Sequence, residues 1–328
     1  MFSIVIPAYQ AGEEIGRCLQ ALHRQTVPRG DYEIIVVDDG SEDNTSTAAQ
    51  VGADRVIILP HGGPAAARNA GIREAGGEVI LFTDADCEPA ADWLAEMVRP
   101  LADPSVAGVT GAYRTQQGEI VARLAQCEFE ERYDRLERFP SVDFIATYAA
   151  AFRSQVLRDV GGFDPAFPVA DHEDVELSYR LVRAGHRLIF NRQAVVYHRH
   201  PATWRAYVRR KLERGYWRTV VYRLHPEKAL HDSYTPGLAK FQILLLYLTV
   251  CLAALTIFRP ILGWAVGAGL AGLAISSLPF VKLVWRRDPA VAVWAPLFIL
   301  ARTLAFAMGI AGGLIGMLFF KPTLSTRS

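Results

Sequence analysis

Acids at two places in the first hundred residues have the spacing of a ligand site. Val36-Val37-Asp38-Asp39-Gly40-Ser41 sets two adjacent carboxylates at the end of an apolar run, just before a glycine turn. A carboxylate there is an acceptor for the imide N–H of uracil or for a ribose hydroxyl, and it also serves as an Asx turn that opens the next helix. Thr83-Asp84-Ala85-Asp86 follows the apolar run Val79-Ile80-Leu81-Phe82. Two aspartates one residue apart can hold a divalent ion and a ribose together, and their hard oxygens suit Mg²⁺ or Mn²⁺. Such pairs are common on loops, so the position after a buried run carries the weight here.

Downstream, Gly62-Gly63-Pro64 opens a helical pattern containing Arg68, one turn inside. That arginine can face a base or phosphates, or serve the structure alone. His172-Glu173-Asp174-Val175-Glu176 is dense in acid and starts another helix. An acid so placed can accept the proton of an attacking hydroxyl; it is equally an ordinary partner for the helix dipole.

The elements that must position these groups alternate. Strand-like runs at 2–7, 33–39, 55–60 and 78–84 are separated by helical patterns at 13–25, 45–51 and 64–75. This alternation predicts parallel βαβ units, whose ligands sit at the carboxyl ends of the strands. Asp38, Asp39, Asp84 and Asp86 all fall at such ends. Less regular elements follow: strands at 106–114, 144–152 and 188–198, and helices at 120–139 and 174–184. A dinucleotide-binding oxidoreductase would need GxGxxG after the first strand; Pro7-Ala8-Tyr9-Gln10-Ala11-Gly12 stands there instead.

Charge vanishes near the carboxyl end. Residues 241–258 and 260–281 hold no charged side chain, nor does 303–320, and each run is long enough for a membrane span. Arg302 suggests a separate interfacial segment at 289–302. The net charge of +1 averages two unlike regions and says nothing about partners. Arg218, Arg223, Lys228 and Lys240 precede the first span, and Lys282, Arg286 and Arg287 lie between the second and third. The positive-inside rule puts these segments, and the amino-terminal domain, in the cytosol. Met1 leads straight into a strand-like run with no basic leader, and four scattered cysteines lack ligand spacing; both point the same way. Between domain and spans, Trp204, Val208, Leu212, Tyr216, Val220 and Leu224 recur every fourth residue, with Arg210, Arg214 and Arg218 on another face. This reads as a basic interfacial helix at 201–240 that meets membrane lipid, or as a helix packed on the domain. No nucleic-acid partner is expected.

Seven motifs occur in order: Ile4-Val5-Ile6-Pro7-Ala8-Tyr9, Val37-Asp38-Asp39-Gly40-Ser41, Ala67-Arg68-Asn69-Ala70-Gly71, Asp84-Ala85-Asp86, Gly161-Gly162-Phe163-Asp164, Glu173-Asp174 with Arg180-Leu181, and Tyr197-His198. Over residues 2–200 the chain resembles the family 2 glycosyltransferases of the GT-A fold. The resemblance implies a Rossmann-like α/β domain with a mostly parallel sheet at 1–200. The transmembrane region at 241–320 and a tail at 321–328 would follow it. It also implies inverting, Mn²⁺- or Mg²⁺-dependent transfer from a nucleotide-sugar, most often UDP-linked. Position by position, Pro7, Tyr9, Asp39 and Arg68 would line the nucleotide pocket and Asp84 would meet the ribose. Asp86 and His198 would hold the metal. Asp174 would be the base, with Glu173 or Asp171 as alternatives. The trailing spans resemble those of members acting on lipid-linked or membrane-associated acceptors, on the inner membrane with the catalytic domain cytoplasmic. The Gln-x-x-Arg-Trp motif of processive members is missing, since Trp204-Arg205 lacks the glutamine, and this points to single-sugar transfer. The rival from another class is a transport or flipping component with a nucleotide-sugar-sensing domain.

Overall fold

A computed structural model describes residues 1–167, 172–229, 233 and 235–319, with the side chains of 317–319 left aside. Asp171 and the tail at 321–328 lie outside the described residues. The chain divides into two compact units, one built on Met1–Gln116 with Tyr133–Arg199, the other of Gln117–Arg132 with His200–Pro322. The helical unit thus takes in a segment that the motif pattern assigns to the first domain.

The first unit is built on one eight-stranded sheet. In chain order its strands are β1 (Phe2–Ala8), β2 (Tyr32–Asp38), β3 (Arg55–Ile58), β4 (Val79–Thr83), β5 (Cys87–Pro89), β6 (Val106–Arg114), β7 (Ala149–Arg153) and β8 (Arg187–His198). Their spatial order is β3-β2-β1-β4-β7-β6-β8-β5. The sheet is mixed: β3, β2, β1 and β4 run parallel, β7 is antiparallel to β4 and β6, and β5 is antiparallel to β8. Buried β-branched residues such as Ile4, Val5, Ile35 and Val36 suit strands covered on both faces. The register pairs Ala8 with Asp38 and Val5 with Phe82, so β1 and β2 end together and β4 ends beside them, two positions earlier. Residues 144–148, expected within a strand, instead precede β7.

Helices α1 (Ile15–His23), α2 (Thr45–Gln50), α3 (Pro64–Glu74) and α4 (Trp93–Val98) connect the first strands. Next come α5 (Ile120–Leu136), α6 (Ser154–Asp159) and α7 (Glu173–Arg183). Proline at its first position and Gly63 at φ 87° start α3. It must then lie close on β1, because a Cβ on Gly71 would fall 2.2 Å from Val5.

Three motifs form one scaffold. Asn69 on α3 donates from its side-chain amide to the Phe163 carbonyl and accepts from the Phe163 N–H, both at 2.8 Å. Arg180 on α7 donates to the carbonyls of Val160 and Gly162, each at 2.7 Å. The turn at 161–164 is therefore clamped from two helices. Asn69→Ala should cost about 1–3 kcal/mol of stability through two buried backbone groups left unpaired, measurable as a lowered denaturation midpoint.

The second unit contains α8 (Trp204–Leu224), α9 (Gly237–Leu255), α10 (Gly263–Ser276), α11 (Leu278–Arg287) and α12 (Ala295–Phe319). Three stretches are long and apolar enough to cross a membrane: Gly237–Leu255, Pro260–Arg287 and Pro289–Gly316. The third differs from expectation. Rather than an interfacial piece ending at Arg302, α12 runs unbroken through it. The Arg302 side chain is buried and donates to Gln242 at 3.0 Å, with Glu131 at 3.7 Å. Its charge is matched within the unit, so the helix need not stop there.

Helix α8 also differs. Its buried row is Tyr207, Lys211, Gly215 and Thr219, while Leu212 is exposed. Arg218 is buried and Arg210 exposed, so the three arginines do not form one basic face. Close packing sets the row: a Cβ on Gly309 of α12 would fall 2.1 Å from the Leu212 carbonyl oxygen, and one on Gly215 2.6 Å from that of Phe306. Gly309 and Gly313 of α12 therefore lie in a helix contact, whereas Gly263 and Gly267 of α10 face open space. Gly309→Val should destabilise the chain by about 1–3 kcal/mol, read by thermal denaturation in detergent. Tyr207, Phe280 and Phe298 form the aromatic centre of this unit's core.

Candidate active site

The neighbouring ends of β1, β2 and β4 carry Tyr9, Asp39 and Asp84, and the β5–β8 pairing brings Asp86 to His198. Because Cys87 pairs with His198 in register, the turn from β4 into β5 delivers Asp86 to the end of β8. The His198 Nδ1 lies 3.5 Å from an Asp86 carboxylate oxygen, and the Asp86 side chain is 52% exposed. His198 is held flat against Tyr113, with ring centroids 4.6 Å apart, and Tyr113 stacks in turn on Tyr148.

The donor set fits a divalent cation. An exposed carboxylate and an imidazole nitrogen converge, and the open side of Asp86 leaves room for further oxygen ligands. Cys87 Sγ is also near, 3.7 Å from Asp86, but burial raises its thiol well above the ordinary range. Its sulfur stands with Asp86 and His198 as the third group of the cluster.

Arg68 does not project into an open pocket. It is buried on α3 and donates to Glu173 at 2.5 Å and to Asp84 at 3.0 Å, with its guanidinium over the Phe163 ring at 5.6 Å. Arg68 and Glu173 side chains are each only 3% exposed. Burial pushes the Glu173 carboxyl up to about 8, against the pull of Arg68 and with a further push from Asp174. Burial likewise raises Asp84, opposed by Arg68 and reinforced by Asp86. Arg68→Ala would strand the buried Glu173 and should cost about 3–5 kcal/mol. Weakened ligand binding in that variant would then accompany a lowered denaturation midpoint.

Asp39 is engaged too. Its two carboxylate oxygens accept from the N–H groups of Gly62 and Gly63, at 2.9 and 2.8 Å, and so fix the glycine loop before α3. Asp38 accepts from the Ser41 N–H at 2.9 Å, the Asx turn that its position allows. His61 lies 2.9 Å from Asp39 and stacks on Tyr9, with centroids 4.3 Å apart. Tyr9 is 49% exposed, so this pair offers an aromatic face beside the strand ends. Pro7 is half-buried within β1 and touches the site only through its strand. Asp174, half-buried at the start of α7, accepts from the Val175 N–H at 2.8 Å and lies 3.4 Å from the Thr147 N–H.

Sequence reasoning missed His61, Tyr113, Tyr148 and the pairing role of Glu173. His61 had one signal, its place just before the glycine pair. Tyr113 had none, because it sits in an apolar strand run.

Residues 3–161 match the family described as Glycosyl transferase family 2. A pre-mycofactocin glycosyltransferase of Mycobacterium tuberculosis is 33% identical over 236 residues, 69% of this chain and 48% of that protein. Glycosyltransferase AglE of Haloferax volcanii is 32% identical over 210 residues, 60% of this chain and 66% of AglE. The chain thus spans about half the length of the first relative and about two thirds of the second. The mannosyltransferase PcManGT of Pyrobaculum calidifontis, solved with GDP-Man and Mn²⁺, has the same fold. Its TM-score is 0.63 at 24% identity, over 95% of this chain and 86% of that one. S. aureus TarS, solved with UDP-GlcNAc, aligns with a TM-score of 0.51 at 20% identity, over 96% of this chain and 92% of the TarS fragment.

Proposed function

We propose that this chain, whose residues 3–161 are a glycosyl transferase family 2 domain, moves one sugar from a nucleotide-sugar to a membrane-associated acceptor with inversion at the anomeric carbon. The observation that carries the reading is the convergence of Asp86 on His198 beside Asp84, which is tied through Arg68 to the helix that bears Asp174. Relatives of this fold have been solved with GDP-Man and Mn²⁺ and with UDP-GlcNAc. We assign a UDP-linked donor here.

The roles follow the geometry. The exposed Tyr9–His61 stack would receive the base, and Asp39 would keep the glycine loop shaped for it. Asp84 would accept from the ribose, with Arg68 setting its direction. Asp86 and His198 would hold a Mn²⁺ or Mg²⁺ ion, which when bound supplies positive charge against the leaving diphosphate. Asp174 would take the proton from the attacking acceptor hydroxyl as the bond to the anomeric carbon forms and the diphosphate departs from the opposite face. An acceptor phosphate would attack without needing that base.

The three apolar helices support membrane attachment. The basic residues before the first and between the second and third favour the inner membrane with the catalytic domain on the cytoplasmic side. A lipid-linked acceptor suits that placement. The test is the anomeric configuration of the product by NMR, using purified full chain in detergent with UDP-sugars. Inversion relative to the donor is expected; retention would overturn the single displacement.

A further inference from the structure

The third apolar stretch runs beside a charged helix. Helices α8 and α12 lie side by side and parallel: Trp204 meets Phe298, Gly215 meets Gly309 and Thr219 meets Gly313, at a constant offset of 94 positions. From Trp204 to Thr219 the contact extends about 22 Å, at about 1.5 Å per residue.

Each helix turns a different kind of face outward. On α8 the exposed row is Arg205, Arg209 and Glu213, with Arg210 beside it, and Arg209 donates to Glu213 at 2.9 Å. This row lies across the helix from the buried row of Tyr207, Lys211, Gly215 and Thr219, since two residues turn an α-helix by about 200°. On α12 the exposed row is Leu297, Leu300, Leu304, Met308 and Ile315, across from the glycines that meet α8. The pair is therefore charged on one side and apolar on the other.

A helix crossing a bilayer does not fit this arrangement. At the observed offset the four exposed charges stand beside residues 299–307, the middle of the stretch Pro289–Gly316. A crossing α12 would carry them to the centre of the hydrocarbon, where exposed charged side chains are costly. The pieces on either side, 289–298 and 308–319, are each shorter than the roughly 20 residues a span needs. Opposed charged and apolar faces belong instead to the boundary between hydrocarbon and water. The other two stretches differ. Helices α9 and α10 pack antiparallel, Gln242 against Ser276 and Thr249 against Gly269. The most apolar 18 residues of each of these stretches are 17% buried, against 44% in the third.

We propose that α12 does not cross the membrane but lies with α8 along its surface, its apolar row in the hydrocarbon of one leaflet, while α9 and the α10–α11 stretch cross as a hairpin. The chain beyond Ala295 then stays on the side of the 282–288 loop. Residues 321–328 agree, since they contain Lys321 and Arg327 and no acid, and so favour the side that holds Lys282, Arg286 and Arg287. This inference rests on the membrane attachment proposed above and not on the transfer chemistry.

Topology is read without nucleotide-sugar. Full chain carrying Cys251→Ala, which removes the exposed cysteine and leaves the three buried ones, is placed in a bacterial inner membrane. It is then treated with a membrane-impermeant maleimide before and after lysis. Arg259→Cys should react on intact cells, and Ser328→Cys only after lysis. Reaction of both on intact cells, the result of three crossings, would overturn the proposal, and so would reaction of neither. Spin labels at Leu297→Cys, Leu304→Cys and Ile315→Cys in liposomes then report depth through collisions with oxygen and with a nickel chelate. All three should lie at one shallow depth, whereas a crossing helix would spread them over about 27 Å. An unchanged melting temperature shows that the labelled variants are folded. Release of the unaltered chain from membranes by alkaline carbonate would remove the membrane attachment itself, a result separate from either topology.

Discussion

Asp174→Asn should lower sugar transfer to a hydroxyl acceptor by about 10²–10⁴-fold while leaving donor affinity close to that of the unaltered chain. The amide keeps the shape of the carboxylate, and its oxygen can still accept from the Val175 N–H, so the start of α7 stays in place. What it loses is the ability to take a proton. Donor binding by calorimetry and turnover by product formation separate the two effects. If the variant loses donor affinity in proportion to turnover, the residue positions the helix and is not the base. Glu173 would not inherit the role easily, since its carboxylate is buried against Arg68.

A comparably large effect is expected at the other end of the site. Asp86→Ala should reduce turnover by about 10²–10³-fold, and chelation should do the same to the unaltered chain, reversibly on adding Mn²⁺. The side chain is half exposed and faces the His198 ring, so removing it should leave the denaturation midpoint nearly unchanged. Mn²⁺ binding followed by electron paramagnetic resonance supplies a readout besides activity, and affinity should fall in Asp86→Ala and in His198→Ala. Full turnover in excess chelator would remove the metal from the account.

Much of this was legible in the sequence, for particular reasons. Strand-ending aspartates were visible because an apolar run followed by acids marks a sheet edge with few alternatives. His198 could be assigned to the metal only through the resemblance; its nearness to Asp86 depends on the short strand β5, three residues long and without periodicity of its own. For Arg68 and Asp39 the sequence shows only a charge near the strand ends, and the structure adds protein partners: Glu173 and Asp84 for the first, the Gly62 and Gly63 N–H groups for the second. A charged residue's type does not disclose whether its counterpart is a ligand or a buried carboxylate 105 positions away. Helix α8 failed for a related reason. Hydrophobic periodicity assumes that water sets the buried face, whereas here Lys211 is inside because Glu128 meets it, and Gly215 because a neighbouring backbone does.

The central claim is that the cluster of Asp84, Asp86 and His198 turns over a nucleotide-sugar. It is tested most directly by nucleoside diphosphate release from a panel of UDP- and GDP-sugars, using the full chain in detergent with Mn²⁺ and, in parallel, its Asp86→Ala variant. The account predicts release from a UDP-sugar by the unaltered chain, near-complete loss in the variant, and folded protein in both. Release from no donor, or equal release by the two proteins, would contradict it.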